Sequence, residues 1–93
     1  MTIGFVMLCH TALERASEVA RHWAIRNCPV VIHVDRRVAV AKYDALVKSL
    51  ADLENIRFSG RHACEWGTWG IVAATQEASM IMLQDFPTVR HVY

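Results

Sequence analysis

Two short segments concentrate the residues that could do chemistry. The first is Val30-Val-Ile-His-Val-Asp35, an apolar run that stops on a carboxylate and is followed by Arg36 and Arg37. An apolar run of strand length ending in an acid is how a buried parallel strand delivers a polar group to the ligand edge of an α/β sheet. The second is Arg61-His-Ala-Cys-Glu-Trp-Gly-Thr-Trp-Gly70, just ahead of a helical pattern. It has the make-up of a binding loop: flat rings, permissive backbone and a fixed positive charge. Together the segments point to a nucleotide pocket, and the two arginines beside the acid favour a phosphorylated ligand.

Each of these side chains also has a plainer use. Asp35 can accept from ribose hydroxyls, as an acid at the end of a second strand does in dinucleotide folds. Alternatively it is a surface acid paired with Arg36 or Arg37, which contributes little. The ligand role is favoured by its place at the strand end. His33, two residues earlier on the same face, reads as a buried histidine hydrogen-bonded to backbone. Arg61 could stack on a base or grip a phosphate, Trp66 offers a stacking face, and Gly67 lets backbone come close to a ligand. Trp69 reads as core. Glu65 beside an apolar ring resembles a catalytic base, but no paired group accompanies it, so a loop or cap role is favoured. His10, His33, Asp35, His62 and Cys64 are competent metal ligands, yet no second tight Cys/His pair is present, and no metal site is expected. Cys9 and Cys64 lack a triad partner and read as buried thiols.

The elements that must position these residues follow from periodicity. Ile3 to Cys9 is a strand. Thr11-Ala-Leu-Glu14 has the spacing of a capping box, with Leu13, Ala16, Ala20, Trp23 and Ala24 on one helical face behind it. Pro29 ends that segment and Val30 to Val34 forms the second strand. Val40, Tyr43, Val47, Leu50 and Leu53 repeat at helical spacing, and Asn55 to Phe58 is a short third strand. Trp69, Val72, Ala73, Gln76, Met80 and Leu83 make a third helical stripe, closed by Pro87. Val89 to Tyr93 begins a fourth strand. The order β-α-β-α-β-α-β predicts an α/β fold, a mostly parallel sheet with helices on both faces. Ending on a strand, residues 1–93 read as the incomplete N-terminal part of a larger domain.

Composition limits the classes open to it. With 93 residues the chain is at most one small domain, and a hydrophobic fraction of 54% argues for burial on both sheet faces and against disorder. A net charge of +1 makes no electrostatic case for nucleic acid or an anionic membrane. Three cysteines without C-x-x-C spacing suit a reducing compartment. No apolar stretch approaches the roughly 20 residues of a transmembrane helix, and no signal peptide is visible, so a cytoplasmic location is expected.

At Leu8-Cys-His10, Val31-Ile-His-Val-Asp35, Arg61 and Trp66-Gly67 the chain resembles the core-2/I-branching glycosyltransferase family, which includes β-1,6-N-acetylglucosaminyltransferases and peptide O-xylosyltransferase. The match runs in register over nearly the whole sequence, up to Val89-Arg-His-Val-Tyr93. The resemblance implies a Rossmann-like glycosyltransferase fold that binds a UDP-sugar donor and transfers N-acetylglucosamine or xylose to a glycan or protein acceptor with inversion. It also implies that no metal or other cofactor takes part. Carried onto this sequence, Asp35, Arg61 and the Trp66-Gly67 turn surround the nucleoside, and Cys9-His10 line its floor. The Asp-x-Asp metal motif is absent, since Asp35 is followed by Arg36-Arg37. The catalytic base and the basic residues for the diphosphate belong to later parts of such proteins, so these residues alone are expected to be inactive.

Two other readings stand beside this one. A dinucleotide- or methyl-donor-binding domain would also use Asp35 on ribose, but the turn Cys9-His-Thr-Ala-Leu13 lacks the glycines of the G-x-G-x-x-G fingerprint. A non-catalytic interaction module would instead show a large exposed apolar patch and no concave pocket.

Overall fold

A computed structural model describes residues 2–59, 69–86 and 89–92, with backbone alone for residues 2, 69–74 and 90–92. The elements are β1 (Thr2–Cys9), α1 (Leu13–Ala24), β2 (Val30–Val34), α2 (Val40–Ser49), β3 (Ile56–Phe58), α3 (Trp69–Asp85) and β4 (Val89–Val92). β1, β2 and β3 pair in parallel and in unbroken register, from Phe5 against Val30 to Ile32 against Phe58. β4 pairs in parallel with the other side of β1 across a register shift between Thr2 and Ile3. The strand order is therefore β3-β2-β1-β4. The chain is a small α/β domain built on a parallel sheet, the class its patterning predicts.

Strand alternation divides the core in two. On one face Val30, Ile32, Val34 and Ile56 meet Ala16, Ala20 and Ala24 of α1 and Leu46 and Leu50 at α2. On the other, Val31 and Val89 meet Ala78 and Met82 of α3. All five residues of β2 are buried, as expected of a strand covered on both sides. Two steps in one direction across the sheet carry α1 and α2 on the same face. The return step from β3 across β2 and β1 to β4 carries α3 on the opposite face, which one-handed crossovers require. The alanines of α1 let it lie close to the sheet, and Trp23 fills the margin by stacking on Phe5 with ring centroids 4.4 Å apart. Gly4 does the same for α3: a Cβ there would lie 2.7 Å from Met82 Sδ.

Several local expectations give way. Thr11 does not cap α1. The N-cap is Ala12, in the left-handed region at φ 52°, ψ 47°, with no side-chain cap bond. The chain must turn sharply from β1 onto the sheet face, and that turn carries Thr11 out of capping geometry. The α2 stripe holds in most of its members, with Leu50 buried and Tyr43 and Leu53 packed against the core, but Leu46 joins that face and Val40 is 64% exposed. The α3 stripe is wrong by more. Gln76, Met80 and Leu83 are exposed, and Ala78 and Met82 face the sheet. α3 is apolar on nearly every side, so periodicity could not single out the face that packs. The side chains of Trp69, Val72 and Ala73 lie outside the described residues. β3 is the short strand expected and begins at Ile56; just ahead of it the Asn55 carbonyl accepts from the Val30 N–H at 3.0 Å, and the Asn55 side-chain amide donates to the Ala24 carbonyl at 3.0 Å.

Across the solvent side, α1 and α2 are tied by polar contacts. Arg21 donates to both carboxylate oxygens of Asp52 at 2.9 Å, and Ser17 and Ser49 share a hydrogen bond of 3.1 Å. The bond from Arg21 holds the Asp52 carboxyl below the usual carboxylate range. The pair is exposed to solvent, so its contribution to stability is small. Its effect is to set the spacing of the two helices.

Candidate functional site

Parallel pairing brings the carboxyl ends of β1 and β2 to one edge. Cys9 stands opposite Val34, so the next residues, His10 and Asp35, emerge side by side. The Asp35 N–H extends the ladder one step by donating to the Cys9 carbonyl at 2.8 Å. The chain then turns, the Asp35 carbonyl accepting from the Val38 N–H at 3.0 Å. Asp35 Oδ1 also accepts from the Arg37 N–H at 2.8 Å, an Asx turn that locks the carboxylate over its own loop.

The Arg37 side chain completes the arrangement. Its Nε donates to Oδ1 at 3.0 Å and its Nη2 to Oδ2 at 2.9 Å, a two-point grip that a planar guanidinium can make and an ammonium cannot. The two partners are unequally placed: the Asp35 side chain is 2% exposed and that of Arg37 59%. The carboxylate is therefore fixed and sheltered, while the guanidinium is a lid at the solvent boundary. Among the two plain alternatives in the sequence, the acid does pair with Arg37, but as a buried acid at the sheet edge.

Two concavities meet here. A small one of about 250 Å³ is lined by His10, Asp35, Arg37 and Val38. It shares His10, Arg37 and Val38 with an open groove of about 870 Å³ that runs from the first two turns of α1 along α2 as far as Ser49. The larger volume is of the size that small-molecule sites occupy, roughly 300–1,000 Å³. Lys42, Ser17 and Ser49 supply polar groups along it, and Glu14 the one acid among its lining residues. Neither helix has a side-chain cap at this end, where Ala12 and Ala39 are the N-caps. First-turn N–H groups of both helices thus add to a positive end potential, which favours negatively charged groups. The strand order reverses between β1 and β4, and in open α/β sheets ligands lodge at the carboxyl edge near that reversal.

Of the residues singled out in the sequence, His10 and Asp35 come together on the small cavity. Cys9 contributes its carbonyl to the site edge, but its thiol packs in the core beneath α1, where burial raises its pKa. His33 is fully buried in β2, opposite Leu8. Arg61, Trp66 and Gly67 lie outside the described residues, as do His62, Cys64 and Glu65. Among the described residues no three His, Cys, Asp or Glu side chains gather as metal ligands. That Arg37 rather than Arg36 grips Asp35 was not legible beforehand, nor was the part of Lys42. The Asp-x-Arg spacing is the signal that was there to find, because an Asx turn brings the residue two positions on back over the carboxylate.

No helix among the described residues is long and apolar enough to cross a membrane. Comparison with protein-family models, with curated proteins and with solved structures finds no match.

Proposed function

We propose that this chain is the nucleotide-binding part of a UDP-sugar-dependent glycosyltransferase of the core-2/I-branching kind. The observation that carries the reading is Asp35: a sheltered carboxylate at the carboxyl end of β2, beside His10, at the mouth of a groove large enough for a nucleotide. An acid so placed accepts from ribose hydroxyls or from a base. The ordered likeness of Cys9-His10, His33-Val-Asp35, Arg61 and Trp66-Gly67 to that family supplies the uridine nucleotide and the sugar. On this reading Asp35 and His10 meet the nucleoside, and the family likeness assigns Arg61, Trp66 and Gly67 to the same ligand. The parent enzyme transfers N-acetylglucosamine or xylose to an acceptor hydroxyl with inversion, without a metal. The residue that deprotonates the acceptor is not among those assigned here.

One observation favours a second reading. An acid following the strand next to β1 is also how dinucleotide and methyl-donor domains hold an adenosine ribose. Ligand-observed NMR of the 93-residue chain with UDP and with NAD, both in EDTA, separates the two. The expected result is saturation transfer to UDP, none to NAD, and loss of the UDP signal in Asp35→Asn. Transfer to NAD in preference to UDP would assign the site to the second reading. A UDP signal that appears only when Mg²⁺ or Mn²⁺ replaces EDTA would overturn the metal-free part.

A further inference from the structure

Ribose cannot reach Asp35 in the arrangement just described. Both carboxylate oxygens are held by the Arg37 guanidinium, at 2.9 and 3.0 Å, and only 2% of the Asp35 side chain is open to solvent. The obstacle is itself displaceable. Arg37 is 59% exposed, sits on a turn, and lines both the small cavity over Asp35 and the groove that also presents Lys42. The backbone N–H of Arg37 stays on Oδ1 wherever its side chain goes, so the carboxylate keeps one partner during the exchange.

Resting on the nucleotide-binding reading above, we propose that Arg37 is an exchangeable latch that makes the site select a ribonucleotide over a nucleoside. In the free protein the guanidinium neutralises Asp35. On binding, the ribose diol takes its place on the carboxylate, and Arg37 turns to a ligand phosphate in the groove beside Lys42. A nucleoside must break the ion pair and offers the released guanidinium nothing. A nucleotide replaces both halves of it, trading one bidentate charge-assisted pair for another. A 2′,3′-dideoxy ligand does not replace the two guanidinium bonds that the carboxylate gives up when the arginine leaves, and buried acceptor capacity left unmade is costly. Discrimination thus comes from the ion pair as much as from any contact to the ligand.

Affinities for UDP, uridine and 2′,3′-dideoxyuridine, measured by NMR titration, test this in four forms of the 93-residue chain: wild type, Arg37→Gln, Arg37→Lys and Asp35→Asn. The wild type should bind UDP at least about tenfold more tightly than uridine, the equivalent of ~1.4 kcal/mol. In Arg37→Gln uridine should bind more tightly than to wild type, and UDP more weakly, so that the two converge. Arg37→Lys, which keeps the charge but not the fork, should fall between them. Uridine unchanged or weakened in a folded Arg37→Gln, with UDP binding still dependent on Asp35, would overturn the latch and leave the nucleotide reading intact. Absence of any Asp35-dependent UDP binding would overturn both. If Arg37→Gln does not fold, the wild-type ligand series decides: dideoxyuridine binding as well as uridine, or uridine as well as UDP, refutes the exchange.

Discussion

Asp35 shows how one carboxylate acquires its character from its backbone. An acid at a strand end is ordinary; here the Asx turn to the Arg37 N–H fixes its rotamer, and the guanidinium covers what the sheet does not. Removing the Arg37 side chain would leave the carboxylate with fewer donors, a loss of roughly 1–3 kcal/mol, toward the low end because water can enter the space that the exposed guanidinium vacates. Cys9 shows the opposite case, a reactive group silenced by its surroundings. Its thiol is 8% exposed and its pKa is raised by burial, so little thiolate forms near neutrality. Cys28 is half-buried at the turn after α1. In the native protein iodoacetamide should therefore label Cys28 well before Cys9, with the peptides distinguished by mass spectrometry. Equal rates at the two positions would mean that the α1 face of the core opens far more readily than its packing indicates.

Among the described residues, backbone strain is concentrated at the junction of β1 with α1. Ala12 adopts φ 52°, a region that costs a residue with a Cβ about 1–2 kcal/mol and glycine almost nothing. Asn27, the other non-glycine residue with positive φ among the described residues, at 64°, is of a type that tolerates it. Ala12→Gly should stabilise the protein by about 0.5–1 kcal/mol after the entropy that glycine adds to the unfolded chain. Thermal unfolding followed by circular dichroism should show a Tm a few degrees higher. A lower Tm would show that Ala12 makes contacts at this turn that outweigh its backbone cost. Such a turn borders the groove, and strain gathers where a fold holds backbone ready for a ligand. The helices on either side are tied by Arg21 with Asp52 and Ser17 with Ser49, the serine pair bridging the two walls of the groove.

At the scale of the whole molecule, cover is uneven. β2 is buried along its length, between β1 and β3 and between two helical layers. β3 has three residues at one margin of the sheet, and β4 at the other joins β1 over a broken register. Amide hydrogen exchange should follow that order. Protection should be greatest for Val31 to Val34, lower in β3 and lowest in β4, since local openings begin where fewest buried contacts must break. Slower exchange in β4 than in β2 would require that the margin beyond β4 be covered, by this chain or by another. α3 turns Met80 and Leu83 outward, 58% and 60% exposed, so its outer side is more apolar than a solvated helix requires.

The local order of elements, the parallel pairing they imply and the acid at the end of β2 were all open to reading from the amino acids. Each rests on short-range rules: alternation or its absence in strands, helical spacing in α1, and a carboxylate that ends an apolar run. The inward residues of α1 were legible because its polar face is sharply defined. Those of α3 were not, because a helix apolar on most sides chooses its face by fit, here the close approach of Met82 to Gly4. The start of α1 was likewise decided by the turn from sheet to helix, which put Ala12 where Thr11 was expected to cap. The state of Asp35 also waited on tertiary structure. Residue types show that an arginine is near; only the folded turn decides that Arg37 rather than Arg36 covers both oxygens, because burial and side-chain direction are properties of the packed edge and not of spacing along the chain.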